Sequence, residues 1–581
     1  MQTRSTYLRF ASLHLIFACA LQVFLAGPSL AQSTVVFSED FESGSPPAGW
    51  QRSQNSPSVG WEFGTNLGSQ HAPITNHTRY AAVNDDAHDD QTTNLNLADR
   101  DRLTSPELDI TPYSSGVLFL RFKYLNSGDY GMIGQVEVFT SPRVTHPPIY
   151  TVPTTPTWQT ALVDLSAYTT SSTFRFTFRA DDGGEWADAF AVDDVELVHV
   201  TGNDAQVDQV LLGEFAEVGA RPISAQITNM GGEPVHSLRL NYQVDGGPIY
   251  SADIDGLSIA PLASVELVHP DLYSFGVPGA YPVTVWTSLV NGGPDVNPGN
   301  DAATTTHYVV TETPIKRPIL EVHTGNWCQF CPDATVRMEN VQSTYPNAIT
   351  VAVHSNDAMA IADGNSISSE YINGYPAGTI DRFPVNGVAI ERNRGNWDGD
   401  VASRIGDVVP VRVHLRDVVH NAVAESLEVT VEAEFVGPAT GDMRLNVWLL
   451  ENHVVGSGSG YDQVNFYNTQ SGHPYAGAGN PIVGFEHNRV LRATGGGPWG
   501  TDRVIPESVN AGETYSWTYT LSTTGVSFVD SRLVGLVQRY DVEPRNRHIL
   551  NAAEIPAFDQ GELFADGFES GNLRAWSSAV P

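Results

Sequence analysis

Apolar and polar residues alternate in short runs along most of the chain, which is the pattern of half-buried β-strands. Runs of this kind occupy residues 117–122, 174–179, 238–244 and 427–435. Glycine and proline are frequent, with 52 and 36 residues, and they favour turns between such runs. The pattern therefore predicts a multidomain, mainly β protein.

The pattern of apolar and polar residues changes between residues 313 and 407. An apolar run at 319–322 leads into Trp327-Cys328-Gln329-Phe330-Cys331-Pro332, a helix-compatible run follows, and a second apolar run occupies 349–354. Strand, helix and strand in this order predict a βαβ unit, whose crossover makes the strands parallel. A helical insertion over 356–372 and a closing helix over 397–405 complete a predicted thioredoxin-like domain.

The two cysteines of this segment carry its candidate chemistry. A cysteine placed where a helix begins has its thiolate stabilised by free N–H groups and the helix dipole. This predicts Cys328 as a nucleophile and Cys331 as the resolving thiol. Two other interpretations stay open: an inert structural disulfide, and a zinc site that borrows His323 and His354.

Changes in pattern and composition divide the chain into six segments. They are a signal peptide (1–31), a jelly roll (32–200), an immunoglobulin-like spacer (201–312), the thioredoxin-like domain (313–407), a β-sandwich domain (408–556) and a tail that repeats the N-terminal Phe-Glu-Ser-Gly motif (557–581). The signal peptide is indicated by Arg4 and Arg9, an apolar stretch over 10–26 and small residues before Gln32.

The composition of the chain limits the classes of molecule that it can bind. The net charge is -35 and lysine occurs only twice, so nucleic acid and anionic membranes are disfavoured. No later run is long and apolar enough to span a bilayer. We expect a secreted protein, at the outer-membrane surface, in the extracellular space or in the periplasm, where a C-x-x-C pair can be oxidised.

The first segment carries ordered motifs: 37–44, Gly49-Trp50, 80–86, 103–109 and 186–195. In these motifs it resembles the cleaved-adhesin, or choice-of-anchor J, domains of secreted bacterial proteins. That resemblance implies a jelly roll related to adhesion and carbohydrate-binding modules, some of which bind calcium. The calcium ligands would be Asp40, Glu42, Asp85, Asp86 and Asp193. Two other interpretations are that these residues cap turns, and that Trp50, Trp61 and Trp186 are core residues rather than a sugar platform.

The segment around the cysteines is similar to the outer-membrane-protein-twenty-eight-related family of secreted or surface-attached bacterial proteins. The similarity rests on Glu321, Trp327 beside the C-x-x-C pair, the strand end at 354–357 and Gly374-Tyr375-Pro376. The thioredoxin resemblance implies that Pro376 is cis and positions a substrate, and that Glu321 moves a proton. The alternative for Glu321 is an edge residue that faces water.

A long polar insertion lies between the predicted strands of segment 408–556. It contains His453, His473, Glu486 and His487, which a metal ion could use as ligands. Loops of this length inside a domain are usually functional. The favoured interpretation is that the insertion docks on the cysteine-bearing face.

These observations lead to two hypotheses. The first is a thiol-disulfide oxidoreductase or isomerase that acts on exported proteins through Cys328 and Cys331, with Trp327, Glu321 and Pro376 completing the site, and that requires no cofactor. The second is a non-catalytic adhesion or binding protein for cell-surface ligands such as glycans, in which the disulfide is structural and calcium supports the fold. A protease has no Ser-His-Asp or H-E-x-x-H pattern to support it.

Overall fold

The computed structural model describes residues 33–53, 60–69, 71–75, 77–88, 101–127, 131–140, 144–183, 186–385, 390–527 and 530–557. The predicted signal peptide and nearly all of the predicted C-terminal tail lie outside these residues. The protein is mainly β, as the alternating pattern predicts. None of the described helices combines the length and apolar content needed to cross a bilayer.

The first body is a sandwich of two six-stranded antiparallel sheets. Its strands are β1 (Ser33–Glu39), β2 (Gln51–Ser53), β3 (Glu62–Gly64), β4 (Tyr80–Asn84), β5 (Asp101–Thr104), β6 (Val117–Asn126), β7 (Ile133–Thr140), β8 (Val144–Thr145), β9 (Tyr150–Thr151), β10 (Thr155–Asp164), β11 (Arg175–Asp181) and β12 (Ala189–Val200), with the short helix α1 (Asp85–His88). One sheet has the order β10-β6-β12-β4-β3 with β1 on β12, and the other β2-β5-β11-β7-β8 with β9 on β7. Alternate residues such as Leu118, Leu120 and Phe122 fill the core between the sheets.

The second body is a smaller sandwich. Its strands are β13 (Ala205–Val210), β14 (Phe215–Glu217), β15 (Gly219–Arg221), β16 (Ser224–Asn229), β17 (Val235–Val244), β18 (Ile249–Ile259), β19 (Ser264–Val268), β20 (Tyr273–Phe275), β21 (Gly279–Ser288) and β22 (Ala302–Val310). They form sheets of order β13-β16-β19 and β14-β22-β21-β17-β18, with β15 and β20 as a separate pair.

This second body packs against both of its neighbours. Met230 lies in one apolar cluster with Phe119 and Val198 of the first body. On the other side, the Tyr308 hydroxyl lies 2.6 Å from Thr440 Oγ1, and Phe215 packs on the core of the third body. The segment is therefore a packed joint between its neighbours rather than a loose spacer.

The third body joins the remaining strands. They are β23 (Ile319–Thr324), β24 (Ile349–His354), β25 (Ala377–Ile380), β26 (Val411–Asn421), β27 (Ser426–Phe435), β28 (Ala439–Thr440), β29 (Asp442–Glu451), β30 (Val490–Thr494), β31 (Ser508–Val509), β32 (Thr514–Ser522), β33 (Arg532–Tyr540) and β34 (Ile549–Pro556), with helices α2 (Cys331–Thr344), α3 (Ala362–Tyr371) and α4 (Trp397–Ile405). The predicted βαβ unit is present, because β23 and β24 pair in parallel on either side of α2.

The boundary predicted at residues 407 and 408 cuts across one sheet. Seven strands run in the order β25-β23-β24-β30-β29-β33-β34, so the cysteine-bearing segment shares one sheet with the later strands β29, β30, β33 and β34. Strand β24 meets β30 in parallel at Ala352 and Val490. The predicted separation does not hold because the apolar residues of β24, such as Val351 and Val353, share a core with Trp448 and Val534. The separate sheet of β26, β27 and β32 packs against the half of the seven-stranded sheet that contains β29 and β33.

We expect a fragment of residues 313–407 to lack a cooperative unfolding transition, because it would expose the β24 edge and half of its core to water. A fragment of residues 313–557 keeps the whole sheet and should unfold cooperatively. Far-ultraviolet circular dichroism during thermal unfolding distinguishes the two fragments. A sharp transition in the shorter fragment would contradict the shared-sheet account.

Candidate functional site

Cys328 and Cys331 form a disulfide at the start of α2, with their Cα atoms 5.4 Å apart. The helix begins at Cys331, so Cys328 lies in the preceding turn rather than at the helix start where it was expected. Both cysteines are buried, at 4 % and 1 % exposure, whereas the adjacent Trp327 is 43 % exposed. The sulfur that would have to attack a substrate is therefore not open to solvent.

The insertion predicted to dock on this face covers the disulfide turn. We call residues 459–467 the cover segment. The backbone N–H groups of Val464 and Phe466 donate to the carbonyls of Asn326 and Gln329 at 2.7 and 2.9 Å. The buried side-chain amide of Gln463 donates to the Cys328 carbonyl at 2.9 Å.

Two further contacts hold the cover segment in place. Asn326 Nδ2 donates to the Ser459 carbonyl at 2.6 Å, and the ring centroids of Phe330 and Phe466 lie 4.9 Å apart. A backbone that already donates to these carbonyls occupies the positions that an incoming peptide would need. The cover segment thus shields the disulfide turn from one side.

The proline strand lies beside the exposed tryptophan. The Tyr375–Pro376 bond is cis, as predicted. The Tyr375 ring lies 5.3 Å from the Trp327 ring, and the Trp327 indole donates to the Ser355 carbonyl at 2.7 Å. Pro376 itself is buried, so the exposed surface here is that of Trp327, which Ser355 and Tyr375 hold in one orientation.

Glu321 is fully buried, but its environment differs from that of a proton shuttle. Arg382 donates to both of its carboxylate oxygens, at 2.9 and 2.7 Å, and Thr379 donates at 2.8 Å. Burial acts to raise the pKa of Glu321, but the Arg382 guanidinium outweighs it and holds that pKa below its usual value. The carboxylate stays ionised, so the predicted acid–base role and the predicted water-facing alternative are both wrong.

The histidines of the zinc alternative bind separate partners. His323 Nδ1 lies 2.8 Å from Ser368 Oγ, and burial lowers the His323 pKa to about 4. His354 Nδ1 lies 2.6 Å from Asp357 Oδ2, in a buried pair. Within the described ranges, the one group of three metal-ligating side chains involves neither histidine and neither cysteine.

The metal ligands proposed within the insertion are dispersed in the same way. His453 Nδ1 pairs with Glu486 at 2.8 Å on the surface. His473 stacks on Tyr467, with ring centroids 4.0 Å apart. His487 is buried and donates through Nε2 to the Tyr461 carbonyl at 2.9 Å. The insertion uses these side chains to fix its own shape.

Four of the five predicted calcium ligands accept backbone N–H groups. Asp40 caps its own turn by accepting from Glu42, whereas Glu42, Asp85 and Asp86 accept from Arg79, Ala187 and His71, which are distant in sequence. The turn-capping interpretation therefore holds for Asp40, the other three connect separate loops, and calcium binding by this set stays a prediction.

The fifth predicted ligand, Asp193, is buried and lies in the metal-ligating group with half-buried His77 and exposed Asp194. Burial raises the Asp193 pKa to about 6. The Lys123 ammonium is paired with Asp194 at 2.9 Å and lies 3.4 Å from His77 Nε2. A cation would therefore have to displace Lys123, so this group does not fit a resident metal.

The three tryptophans considered for a sugar platform divide into two kinds. Trp50 and Trp61 are core residues, at 8 % and 1 % exposure. Trp186 is 36 % exposed, and its indole donates to Asp86 at 3.2 Å. Two of the three thus follow the core interpretation.

Comparison with known proteins gives partial matches. The sequence model of the MAM domain, meprin/A5/mu, matches residues 40–202. No curated protein sequence matches the chain. HBP35 of Porphyromonas gingivalis is similar in structure at 18 % identity and a TM-score of 0.32, over 42 % of this chain and 75 % of that one.

Two further solved structures resemble parts of the chain. The CARDB domain of the PF1109 protein from Pyrococcus furiosus, in complex with di-metal ions, has 20 % identity and a TM-score of 0.17, over 19 % of this chain and 96 % of that one. TmCBM61 in complex with β-1,4-galactotriose has 16 % identity and a TM-score of 0.19, over 27 % and 92 %. Because these TM-scores are below 0.5, function has to be argued from this chain's own residues.

We expect Arg382→Met to destabilise the protein by about 3–5 kcal/mol at pH 7, because it leaves Glu321 charged and buried. In the native protein the Glu321 pKa is low, so its stabilising effect is lost as pH falls below about 4. In the variant burial alone raises that pKa, so stability should instead increase as pH falls from 7 toward 5.

Urea unfolding at pH 5 and pH 7 measures both effects. Arg337→Met is the matched control, because Arg337 pairs with Asp333 on the surface and its loss should cost about 0.5 kcal/mol or less. Equal losses from both variants at both pH values would show that the buried pair has no special role.

Proposed function

We propose that the protein is a secreted, non-catalytic adhesion or binding protein, in which Cys328 and Cys331 form a structural disulfide. The observation that carries this proposal is the cover segment, in which Gln463, Val464 and Phe466 donate hydrogen bonds to the disulfide turn while both cysteines are buried. Thiol-disulfide exchange needs an accessible sulfur and a nearby group that can exchange a proton. Burial of the cysteines makes the sulfur inaccessible, and the ion pair with Arg382 prevents Glu321 from exchanging the proton.

Several features support an extracellular binding role. The sequence predicts a signal peptide, and residues 40–202 match the MAM domain. The mature chain is strongly acidic, which suits a soluble protein in an oxidising compartment. A glycan is the ligand class we propose for the first body of this chain.

One observation favours the exchange hypothesis as a second candidate. Trp327 is 43 % exposed and its ring lies 5.3 Å from that of Tyr375, which leaves an aromatic surface that could receive a peptide. This surface would become a redox site only if the cover segment moved away. The two candidates therefore differ in how easily the disulfide is reduced.

We expect the disulfide of the full mature chain to have a reduction potential below about -300 mV. We also expect the protein not to catalyse the reduction of an added protein disulfide. Mass-spectrometric counting of alkylated thiols in glutathione and dithiothreitol buffers of known potential measures this. A potential near the range of about -180 to -270 mV, together with turnover, would establish the exchange hypothesis instead.

Gln463→Ala provides the matched structural test. Loss of its buried hydrogen bonds should lower the free energy of opening by about 1–2 kcal/mol and speed reduction by dithiothreitol about 5–30-fold. Gln470→Ala is the control, because Gln470 is an exposed residue of the same insertion. Equal reduction rates in the native protein and both variants would mean that the cover segment does not protect the disulfide.

A further inference from the structure

The first two bodies are joined by residues 201–204, which we call the linker. It follows β12 directly and precedes β13, so its conformation sets the direction in which the first body leaves the second. The apolar cluster that the two bodies share contains two residues of the second body, Met230 and half-buried Leu262. Hydrogen bonds to the linker therefore contribute to how firmly the two bodies are held together.

A loop of the second body encloses the linker. It comprises residues 289–301, between β21 and β22, and we call it the clamp loop. The Val296 N–H donates to the Asn203 carbonyl at 3.0 Å, and the Asn203 side-chain amide donates to the Val290 carbonyl at 3.0 Å. Asn291 in turn donates to Asn203 Oδ1 at 2.9 Å. The clamp loop thus binds both the backbone and the side chain of one linker residue.

The clamp loop contains two residues in a costly backbone conformation. Leu289 and Asn291 have φ angles of 52° and 51°, in the left-handed region that residues other than glycine rarely adopt. Such a conformation persists only where the surrounding contacts impose it. The loop would therefore relax, and release the linker, if the contacts at its other end weakened.

Acidic side chains supply the contacts at that other end. Asp295 Oδ2 accepts the N–H of Ala205, the first residue of β13, at 2.8 Å, and its Oδ1 accepts the N–H of Asn297 at 2.8 Å. Asp204 Oδ1, on the linker, accepts the side-chain amide of Asn300 at 3.0 Å. Carboxylate groups thus attach the clamp loop both to itself and to the start of β13.

Asp301, the last residue of the clamp loop, has different surroundings. Its carboxyl group lies within hydrogen-bonding reach of the Asp295 carboxylate, and its Oδ1 atom is enclosed and receives no hydrogen bond from the described residues. The charged groups that face it are Asp295 of the same loop and Asp204 of the linker, and both are acidic. Two ionised carboxylates in this contact repel each other, whereas a proton on Asp301 turns the repulsion into a hydrogen bond.

The electrostatics of the cluster agree with this geometry. Burial, followed by the negative charges of Asp295 and Asp204, raises the pKa of Asp301 to about 7. The folded protein therefore keeps a proton that the unfolded chain loses near pH 4. The stabilising effect of that proton is complete below about pH 4 and is lost as the pH rises through about 7.

We propose that Asp301 and Asp295 share one proton and that this proton keeps the clamp loop closed on the linker. Above neutral pH the proton passes to water, the two carboxylates repel each other, and the joint between the first two bodies loosens. The inference concerns the joint alone and does not depend on the proposed binding function.

Hydrogen exchange of the full mature chain, measured by mass spectrometry at pH 5.5 and pH 8, tests the proposal. The rates are corrected for the intrinsic effect of pH on amide exchange. Peptides that cover residues 201–206 and 289–301 should open about 30-fold more readily at pH 8 than at pH 5.5. An unchanged opening constant in the native chain would overturn the proposal without any variant.

Asp301→Asn tests the role of the proton directly, because an amide donates to Asp295 but does not titrate. Its two peptides should change by less than about threefold between the two pH values. Asp255→Asn, at an exposed position on β18, is the matched control and should respond to pH as the native chain does. Equal responses in all three proteins would overturn the proposal.

Two further measurements complete the test. Asp295→Asn removes the charge that faces Asp301, so it should also reduce the response to pH, and it covers the case that Asp301→Asn fails to fold. Millimolar calcium chloride at pH 8 should leave the exchange of the native chain unchanged. Calcium that restores the protection of the native chain but not of Asp301→Asn would show that these carboxylates bind a cation, and would overturn the shared proton.

Discussion

The buried guanidinium of Arg382 organises the third body. It neutralises Glu321 on β23, donates to the Pro498 carbonyl and to Gln538 on β33, and lies over the ring of Trp448 at 5.6 Å. One side chain thus connects the cysteine-bearing strands to strands more than a hundred residues later. A buried ion pair of this kind contributes little net stability, but removal of either partner is costly. The two halves of the sheet are therefore coupled through it.

This coupling determines what the disulfide can do. The turn of Cys328 follows strand β23 of the sheet and accepts hydrogen bonds from the cover segment. The insertion that contains the cover segment starts after strand β29 and ends before strand β30 of the same sheet. A disulfide between two parts of one rigid unit constrains local geometry. Its position next to the exposed Trp327 resembles a redox site in outline, while its surroundings resemble a packed core.

Much of the fold follows from local patterns in the sequence. The βαβ unit and the helix at 397–405 are where periodicity predicts them, and the cis bond before Pro376 is where the thioredoxin resemblance implies it. The shared sheet was not predictable in this way, because the pairing of Ala352 with Val490 joins residues far apart in sequence. Long-range register of this kind leaves no local signal.

The candidate site was predictable in position but not in chemistry. Spacing identified the cysteines, but whether Glu321 exchanges protons depends on Arg382, which is a partner distant in sequence. A glutamate that is buried within a strand needs a compensating cation, but the sequence does not show which residue supplies it. Gln463 gave no comparable signal, because a polar residue in a long insertion is usually exposed. The prediction that the insertion docks on this face needed only its length and position.

The scarcity of lysine has a chemical consequence for the first body. Of the two lysine side chains, Lys316 is fully buried against Asp381, and Lys123 is 42 % exposed where it faces Asp194. An acylating reagent applied to the folded protein would therefore meet one reachable ε-amino group, and it lies on strand β6 of the first body. Covalent footprinting of a single peptide would then report the exposure of this strand directly, without a label introduced by mutation.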